Sequence, residues 1–480
     1  MERRLLSTWN QVAPRAYICK WYCFPYDREG NLEDLREHLI AALHQLAKHF
    51  PDLAAKVFLL SNPLGCLCIE LDDHAEIPLK VFNAHDSFGW TYDELKSQGF
   101  PARAFVDTSF DLPYRLQEDK QGIPVFEVHA RLIEGGLLLG IYSHHSISDG
   151  TGLDNYISSF AELTRDPNQT LKLQCPADID IDLPETIENA RLMNVGNRTF
   201  QELLELCPEY SLLPSPTGPT QFRALPTGLP IENIQKTGRI FVVGAQKITT
   251  IREKVLEHLG TESSERLPST FTCLAGIIWA HVTKARLRSP KNLLSSSTDK
   301  LIAPERVRLM ICINWRRRAF TSIMDASAGN TIALPVATVD IATLLAVSDG
   351  DENVAYKALA VVAQAIDTTI SSVNEDFVAL RTSTIRAAPD PRLIGLTADL
   401  RDPQDFYINT WRHFGADTRD GIIPDAVRKA QAGWDMGAAL VLPAKKNSLN
   451  IEVLVRLDID SMATLCSDSR WGDWVDKVIE

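Results

Sequence analysis

Leu137-Leu138-Leu139-Gly140-Ile141-Tyr142-Ser143-His144-His145-Ser146-Ile147-Ser148-Asp149-Gly150 is an apolar run that ends in two histidines, an aspartate and a glycine. At ordinary residue frequencies the pattern HHxxxDG arises by chance in about one chain of this length per thousand. Histidine titrates near neutral pH and can take a proton from an alcohol, amine or thiol. A nearby carboxylate can fix the local geometry, and a glycine lets the backbone turn sharply behind it. The apolar run reads as a strand. On it Leu137, Leu139, Ile141, Ser143 and His145 share one face, and Leu138, Gly140, Tyr142 and His144 share the other. The two imidazoles therefore point apart, so a single metal ion held by both is not expected.

Upstream, Phe126, Val128, Ala130 and Leu132 alternate with polar residues, as on a half-buried strand. Glu134-Gly135-Gly136 is a turn signal, so the two strands should form a hairpin. Downstream of Gly150, Leu153, Ile157, Phe160 and Leu163 mark one face of a helix. The motif thus sits in a strand-to-helix turn, where a side chain can project into a cleft. Leu32, Leu35, Leu39, Leu43, Leu46 and Phe50 predict an amphipathic helix over 31–50, with Asn31 able to cap it. A strand is expected over 65–71 and a loop over 101–123.

The second half opens with a predicted strand over 239–243 and a helix over about 249–259. A helix over 269–284 carries Leu274, Ile277, Ile278 and Trp279 on its apolar side, then a serine-rich insertion fills 287–305. A strand over 307–314 and a helix over 354–373 follow, and the chain closes on a hairpin of 438–442 with 449–457. The proline-rich stretch 208–235 reads as a crossover between two halves, 1–207 and 236–480. Mixed strands and helices in both halves predict an α/β protein of two similar-sized domains.

Composition narrows the classes. Of 480 residues, 45% are hydrophobic and 23% charged, as in ordinary globular chains. A formal net charge of −13 argues against nucleic acid as a main partner, because phosphate binding needs a basic face. No apolar run approaches the ~20 residues of a membrane span. The first residues lack the apolar core of a signal peptide. The nine cysteines are scattered without a CxxC pair and read as reduced thiols. A cytoplasmic protein, monomeric and without membrane or nucleic-acid partners, is the expectation. No GxSxG, P-loop or dinucleotide glycine fingerprint is present.

His145-Ser146-Ile147-Ser148-Asp149-Gly150 resembles the HxxxDG motif of BAHD-type acyltransferases, in the larger group of chloramphenicol acetyltransferases and peptide-synthetase condensation domains. Ser269-Thr270 with Ala275-Gly276-Ile277-Ile278-Trp279 is similar to the family's second-domain helix. Asn314-Trp315-Arg316-Arg317-Arg318 with Gly329-Asn330 resembles its NxRxR…GN stretch. Asn409-Thr410-Trp411 resembles a strand ending in Ser/Thr-Trp, and Pro424-Asp425-Ala426-Val427-Arg428 the stretch after the family's DFGWG motif. The run Tyr92-Asp93-Glu94-Leu95-Lys96-Ser97-Gln98-Gly99-Phe100-Pro101 is similar to fungal members, notably trichothecene O-acetyltransferases. DFGWG itself is degraded to Ala416-Asp417-Thr418-Arg419-Asp420-Gly421, which puts that loop's geometry and the coenzyme fit in question.

The resemblance implies two chloramphenicol-acetyltransferase-like domains with a channel between them, and the segment near 408–430 packing with the N-terminal domain. It implies acyl transfer from a coenzyme A thioester, acetyl-CoA by default, to a hydroxyl (or an amine) of a small secondary metabolite, with no metal. His145 would be the general base, and Thr410 the donor to the tetrahedral oxyanion. Asp149 would not be a second acid but would pair with a guanidinium of the Arg316/Arg318 pair and lock the turn that carries Gly150. Trp411 would line the acceptor pocket, against a plain core role. Ser269 and Thr270 would touch the coenzyme, against the simpler reading of a helix cap. Two other functions stay open: condensation with a carrier-bound thioester, and a non-transferring binding or cyclase relative, at which the degraded segment hints.

Overall fold

The computed structural model describes all residues except 1, 27–31, 73, 85–86, 169–170, 172–197, 216–230, 260–266, 290–304, 321–327, 416–422 and 446. The degraded 416–421 segment, most of the 287–305 insertion and the middle of the crossover therefore lie outside the described residues, as does the Asn31 cap.

Two large sheets organise the chain. Their strands are β1 (Tyr17–Pro25), β2 (Leu79–Asn83), β3 (Phe126–Ile133), β4 (Gly136–His144), β5 (Lys236–Val243), β6 (Arg306–Ile311), β7 (Val336–Asp340), β8 (Asp405–Thr410), β9 (Ala426–Lys429), β10 (Ala438–Val441), β11 (Ile451–Asp458) and β12 (Lys477–Ile479). The first sheet runs β9-β1-β4-β3-β2, and the second β7-β6-β8-β10-β11-β5-β12. Parallel pairs (β2 with β3, β8 with β6 and β10) sit beside antiparallel ones, so both sheets are mixed. A smaller four-stranded sheet joins Glu2–Leu5, Leu67–Leu71, Lys56–Leu59 and Ile123–Pro124.

The β3–β4 hairpin turns at Gly135, whose φ of 75° is a left-handed conformation that glycine adopts without a Cβ penalty. The expectation of a half-buried β3 is corrected: Phe126 through Ala130 are all buried. The polar positions go inside because the sheet is covered on both faces. Glu127 is satisfied there by Lys80 at 2.7 Å, His129 at 2.6 Å and the Tyr114 hydroxyl at 2.8 Å. Much of the cover on that face comes from 101–123. It is not a plain loop but contains two short 3₁₀ turns that bury Phe105 and Phe110.

The helices are α1 (Leu32–His49), α2 (Gly150–Arg165), α3 (Ala245–His258), α4 (Thr270–Arg288) and α5 (Glu352–Ser371). α1 and α2 cover the other face of the first sheet with Leu39, Leu43, Leu46, Leu153, Ile157 and Phe160. α4 is buried nearly all round, because α5 and the second sheet flank it; Gly276 lets Leu359 of α5 approach. Sequence pattern missed the helices Ile341–Asp349 and Glu375–Ala387.

Strand β9 lies far along the chain yet pairs with β1, placing Ala426 opposite Cys23 and Lys429 opposite Lys20. Before it, β8 sits inside the second sheet. The start of the crossover, Tyr210–Leu212, pairs with Ile394–Leu396. A single apolar cluster holds Ile141 and Ile157 together with Ile240, Leu440, Leu454 and Trp411. The first sheet therefore packs against one face of the second, and the ends of β4 and β8 belong to that contact.

Candidate active site

The chain leaves β4 at His144 and enters α2 at Gly150. The strand parity puts His144 into the closed side. It is fully buried, with the ring edge-on to Tyr17 at 5.3 Å, and burial pushes its imidazole down to about 3, so it stays neutral. His145 faces the other way and is partly exposed. Its backbone N–H donates to the Ala16 carbonyl at 2.8 Å, which extends the β1–β4 pairing one residue past the strand. Its Nδ1 is buried with no hydrogen-bond partner among the described residues, and its own carbonyl oxygen, near the ring, favours the protonated form. A proton on Nδ1 leaves the lone pair on Nε2. Burial lowers the imidazole's pKa; the nearby carbonyl, the Asp149 charge and Asn330 oppose this without cancelling it. The ring is therefore a neutral base at pH 7.

Asp149 points away from that ring and caps α2. Its Oδ1 accepts from the N–H groups of Thr151 and Gly152, both at 3.0 Å. Its Oδ2 accepts from Arg316 Nη1 at 2.6 Å and from the N–H and hydroxyl of Thr331, each at 3.0 Å. Burial works against this carboxylate, but the Arg316 charge and the hydrogen bonds outweigh it and hold the group below the ordinary carboxylate range. Arg316 also donates to the Gly329 carbonyl, and its own N–H is taken by Asn314 Oδ1 at 2.9 Å. Asn314 Nδ2 returns to Thr151 Oγ1 at 2.9 Å.

Arg318 does not share this role. The strand ends at Asn314 and the chain turns, so the alternation expected over 314–318 is lost; Arg318 is exposed and donates to the Ile370 carbonyl at 3.3 Å. Gly150 is also corrected. It is the first residue of α2, and its φ is not positive. What requires glycine there is space: a Cβ would stand 2.6 Å from the Phe414 ring. At Gly152 a Cβ would overlap the Ala328 carbonyl, so the loop before Gly329 lies directly on α2.

Thr410 ends β8, and Trp411 continues along β10 by donating its N–H to Val441 at 2.8 Å. Thr410 Oγ1 accepts from the Arg412 N–H at 3.3 Å, which leaves the hydroxyl proton to donate elsewhere. The Phe414 ring against Gly150 brings this stretch to the turn that carries His145. Trp411 is buried, and with Phe414 it encloses Lys20, whose Nζ lies 5.3 Å and 4.9 Å from the two rings. Ser269 is exposed and caps α4, its Oγ accepting from the Thr272 N–H at 3.0 Å; Thr270 is the helix's first residue. Among the described residues no cluster of His, Cys, Asp or Glu could hold a metal ion.

Sequence reasoning missed Asn10, Asn314 and Thr331 as partners of this turn. Gly329-Asn330 was visible as a motif without a role. Asn330 Nδ2 donates to the His145 carbonyl at 2.7 Å.

Known proteins carry the same plan. The model of the trichothecene 3-O-acetyltransferase-like N-terminal domain matches residues 16–163, and that of the Transferase family residues 106–470. Trichothecene 8-O-acetyltransferase of Fusarium sporotrichioides is 27% identical over 406 residues, covering 79% of this chain and 78% of the relative. Acyltransferase BOA11 of Botryotinia fuckeliana (strain B05.10) is 23% identical over 501 residues, 99% of this chain and 98% of the relative. The crystal structure of F. graminearum TRI101 complexed with coenzyme A and deoxynivalenol superposes with a TM-score of 0.77 over all of both chains, at 15% identity. The fold is thus that of the chloramphenicol acetyltransferases, and the chain belongs to the Transferase family as a fungal BAHD-type acyltransferase.

Proposed function

We propose that the chain transfers an acetyl group from acetyl-CoA to a hydroxyl of a small-molecule secondary metabolite, with His145 as general base. The observation that carries this is the placement of His145: partly exposed at the strand-to-helix turn, with burial favouring its base form and Asn330 holding its carbonyl. The acceptor oxygen attacks the thioester carbonyl carbon as its proton passes to Nε2. The tetrahedral intermediate collapses, the C–S bond breaks, and the imidazolium returns the proton to the leaving thiolate. Such a base contributes typically ~10²–10⁴-fold, and alignment of the two substrates much of the rest. The Thr410 hydroxyl, with its proton uncommitted, would donate to the oxyanion. Trp411, beside the catalytic turn, would wall the acceptor side, and Thr270 with Ser269 would meet the coenzyme at the start of α4.

The relatives' names support this reading. Trichothecene 8-O-acetyltransferase and two further fungal relatives are named O-acetyltransferases, and TRI101 is crystallised with coenzyme A and deoxynivalenol. The test uses two donors: acetyl-CoA, and acetyl-phosphopantetheine on a carrier protein, each with a pool of hydroxylated acceptors. Acceptor-dependent thiol release is expected from acetyl-CoA. Release from the carrier-bound donor alone would instead establish a condensation-type reaction.

A further inference from the structure

The chemistry around Asn10 fixes its own orientation. The backbone N–H of Asn330 meets the Asn10 side chain at 2.9 Å, so the atom it meets is the acceptor Oδ1. The same oxygen accepts from Asn330 Nδ2 at 2.8 Å, which leaves Asn330 a single orientation as well. That Nδ2 also donates to the His145 carbonyl at 2.7 Å, the backbone oxygen that helps the imidazole to hold a proton. Asn10 is fully buried and Asn330 nearly so.

Asn10 is itself firmly held. It lies in the short helix Thr8–Val12. Next to it, Trp9 Nε1 donates to Thr382 Oγ1 at 3.0 Å. On the other side, Gln11 makes three hydrogen bonds, to the Leu6 carbonyl and to the carbonyl and N–H of Leu67. Yet Asn10 Nδ2 is buried with no partner among the described residues. A buried orphan donor is destabilising, and an apolar residue would avoid it. What an apolar residue would not supply is one oxygen that satisfies two donors of Asn330.

We infer that Asn10 is a positioning residue for acyl transfer: through Asn330 it clamps the His145 carbonyl, and so keeps the imidazole proton on Nδ1 and the Nε2 lone pair toward the substrates. The inference rests on His145 being the base. The charged and titratable groups around this ring are Asp149, with Arg316 behind it, and His144 at the adjoining position.

Three variants test it, read by acetyl-CoA thiol release with pooled acceptors and by ¹⁵N spectra of the histidine rings. Asn10→Ala removes the acceptor oxygen. Its kcat should fall about 10–100-fold with KM for acetyl-CoA little changed, and the His145 ring should pass from one tautomer to a mixture. Asn10→Asp keeps the oxygen and adds negative charge, so it should keep the single tautomer and most of the plateau rate while the acid limb moves to higher pH. His145→Ala is the control. If it releases thiol like the wild type, the base assignment fails, while the ring spectra still decide the clamp. Wild-type kcat and an unchanged tautomer in Asn10→Ala would overturn the inference. So would an unmoved acid limb in Asn10→Asp, which decides the matter if Asn10→Ala does not fold.

Discussion

Two adjacent histidines with opposite fates show how much one step along a strand decides. His144 turns into a closed aromatic interior, where protonation is suppressed. His145, one residue on, reaches the contact between the sheets. The sign of its shift gives a prediction. In the proposed mechanism the base form is the active one, and burial holds the folded pKa below the ordinary 6.5. More than half of the full activity should therefore be present at pH 6.5, and the rest of it lost as pH falls through a lower value. A pH profile of kcat/KM should show an acid-limb midpoint below 6.5; a midpoint above it would contradict the burial argument. At this scale much was legible. Alternation along 137–145 separates the two rings without coordinates. The partners of His145 were legible only in part: Asn330 stood in a motif without a role, and Asn10, which reaches His145 through Asn330 from a distant segment, carries no local pattern. Gly150 was read for a wrong reason, since its neighbour Phe414 is also distant in sequence.

At the scale of elements, the strand-to-helix turn is held by a buried ion pair. Asp149 serves as the cap of α2 and as the partner of Arg316, so one carboxylate ties the helix to the loop after β6. Arg316→Met leaves that carboxylate buried without its cation. The expected loss of stability is about 3–5 kcal/mol, read by urea unfolding at pH 7. The folded Asp149 pKa is depressed from its ordinary 3.8, so its contribution is present above that value and fades as pH falls through the lower folded value. The penalty in Arg316→Met should shrink on acidification for the same reason. A loss under about 1 kcal/mol at pH 7 would show the pair to be ornamental. Sequence resemblance could point to an arginine pair here but not choose within it. Choosing Arg316 over Arg318 depends on where β6 and its short continuation stop, and the turn after Asn314 has no signature in residue type.

At the scale of the whole molecule, segments from the second half of the chain complete structure begun in the first. Strand β9 completes the edge of the first sheet, the loop around Gly329–Thr331 sits on the turn of His145 and Asp149, and Tyr210–Leu212 pairs into the second half. A fragment of residues 1–207 therefore lacks an edge strand and the cation that neutralises Asp149. It should show no cooperative thermal transition alone, and should co-purify with 236–480 when the two are expressed together. A cooperative melt of the isolated fragment would contradict this. Alternation and helical periodicity made most strands and long helices readable, because each is a local pattern. The exchange of β9 was not readable from pattern, since pairing between distant segments leaves no trace in either one.

The central claim is that one imidazole removes the acceptor's proton. Its most direct test is His145→Ala, assayed for acetyl transfer to pooled hydroxylated acceptors alongside a circular-dichroism melt. The account predicts a fall of ~10²-fold or more with an unchanged melt; a folded variant that turns over like the wild type would contradict it.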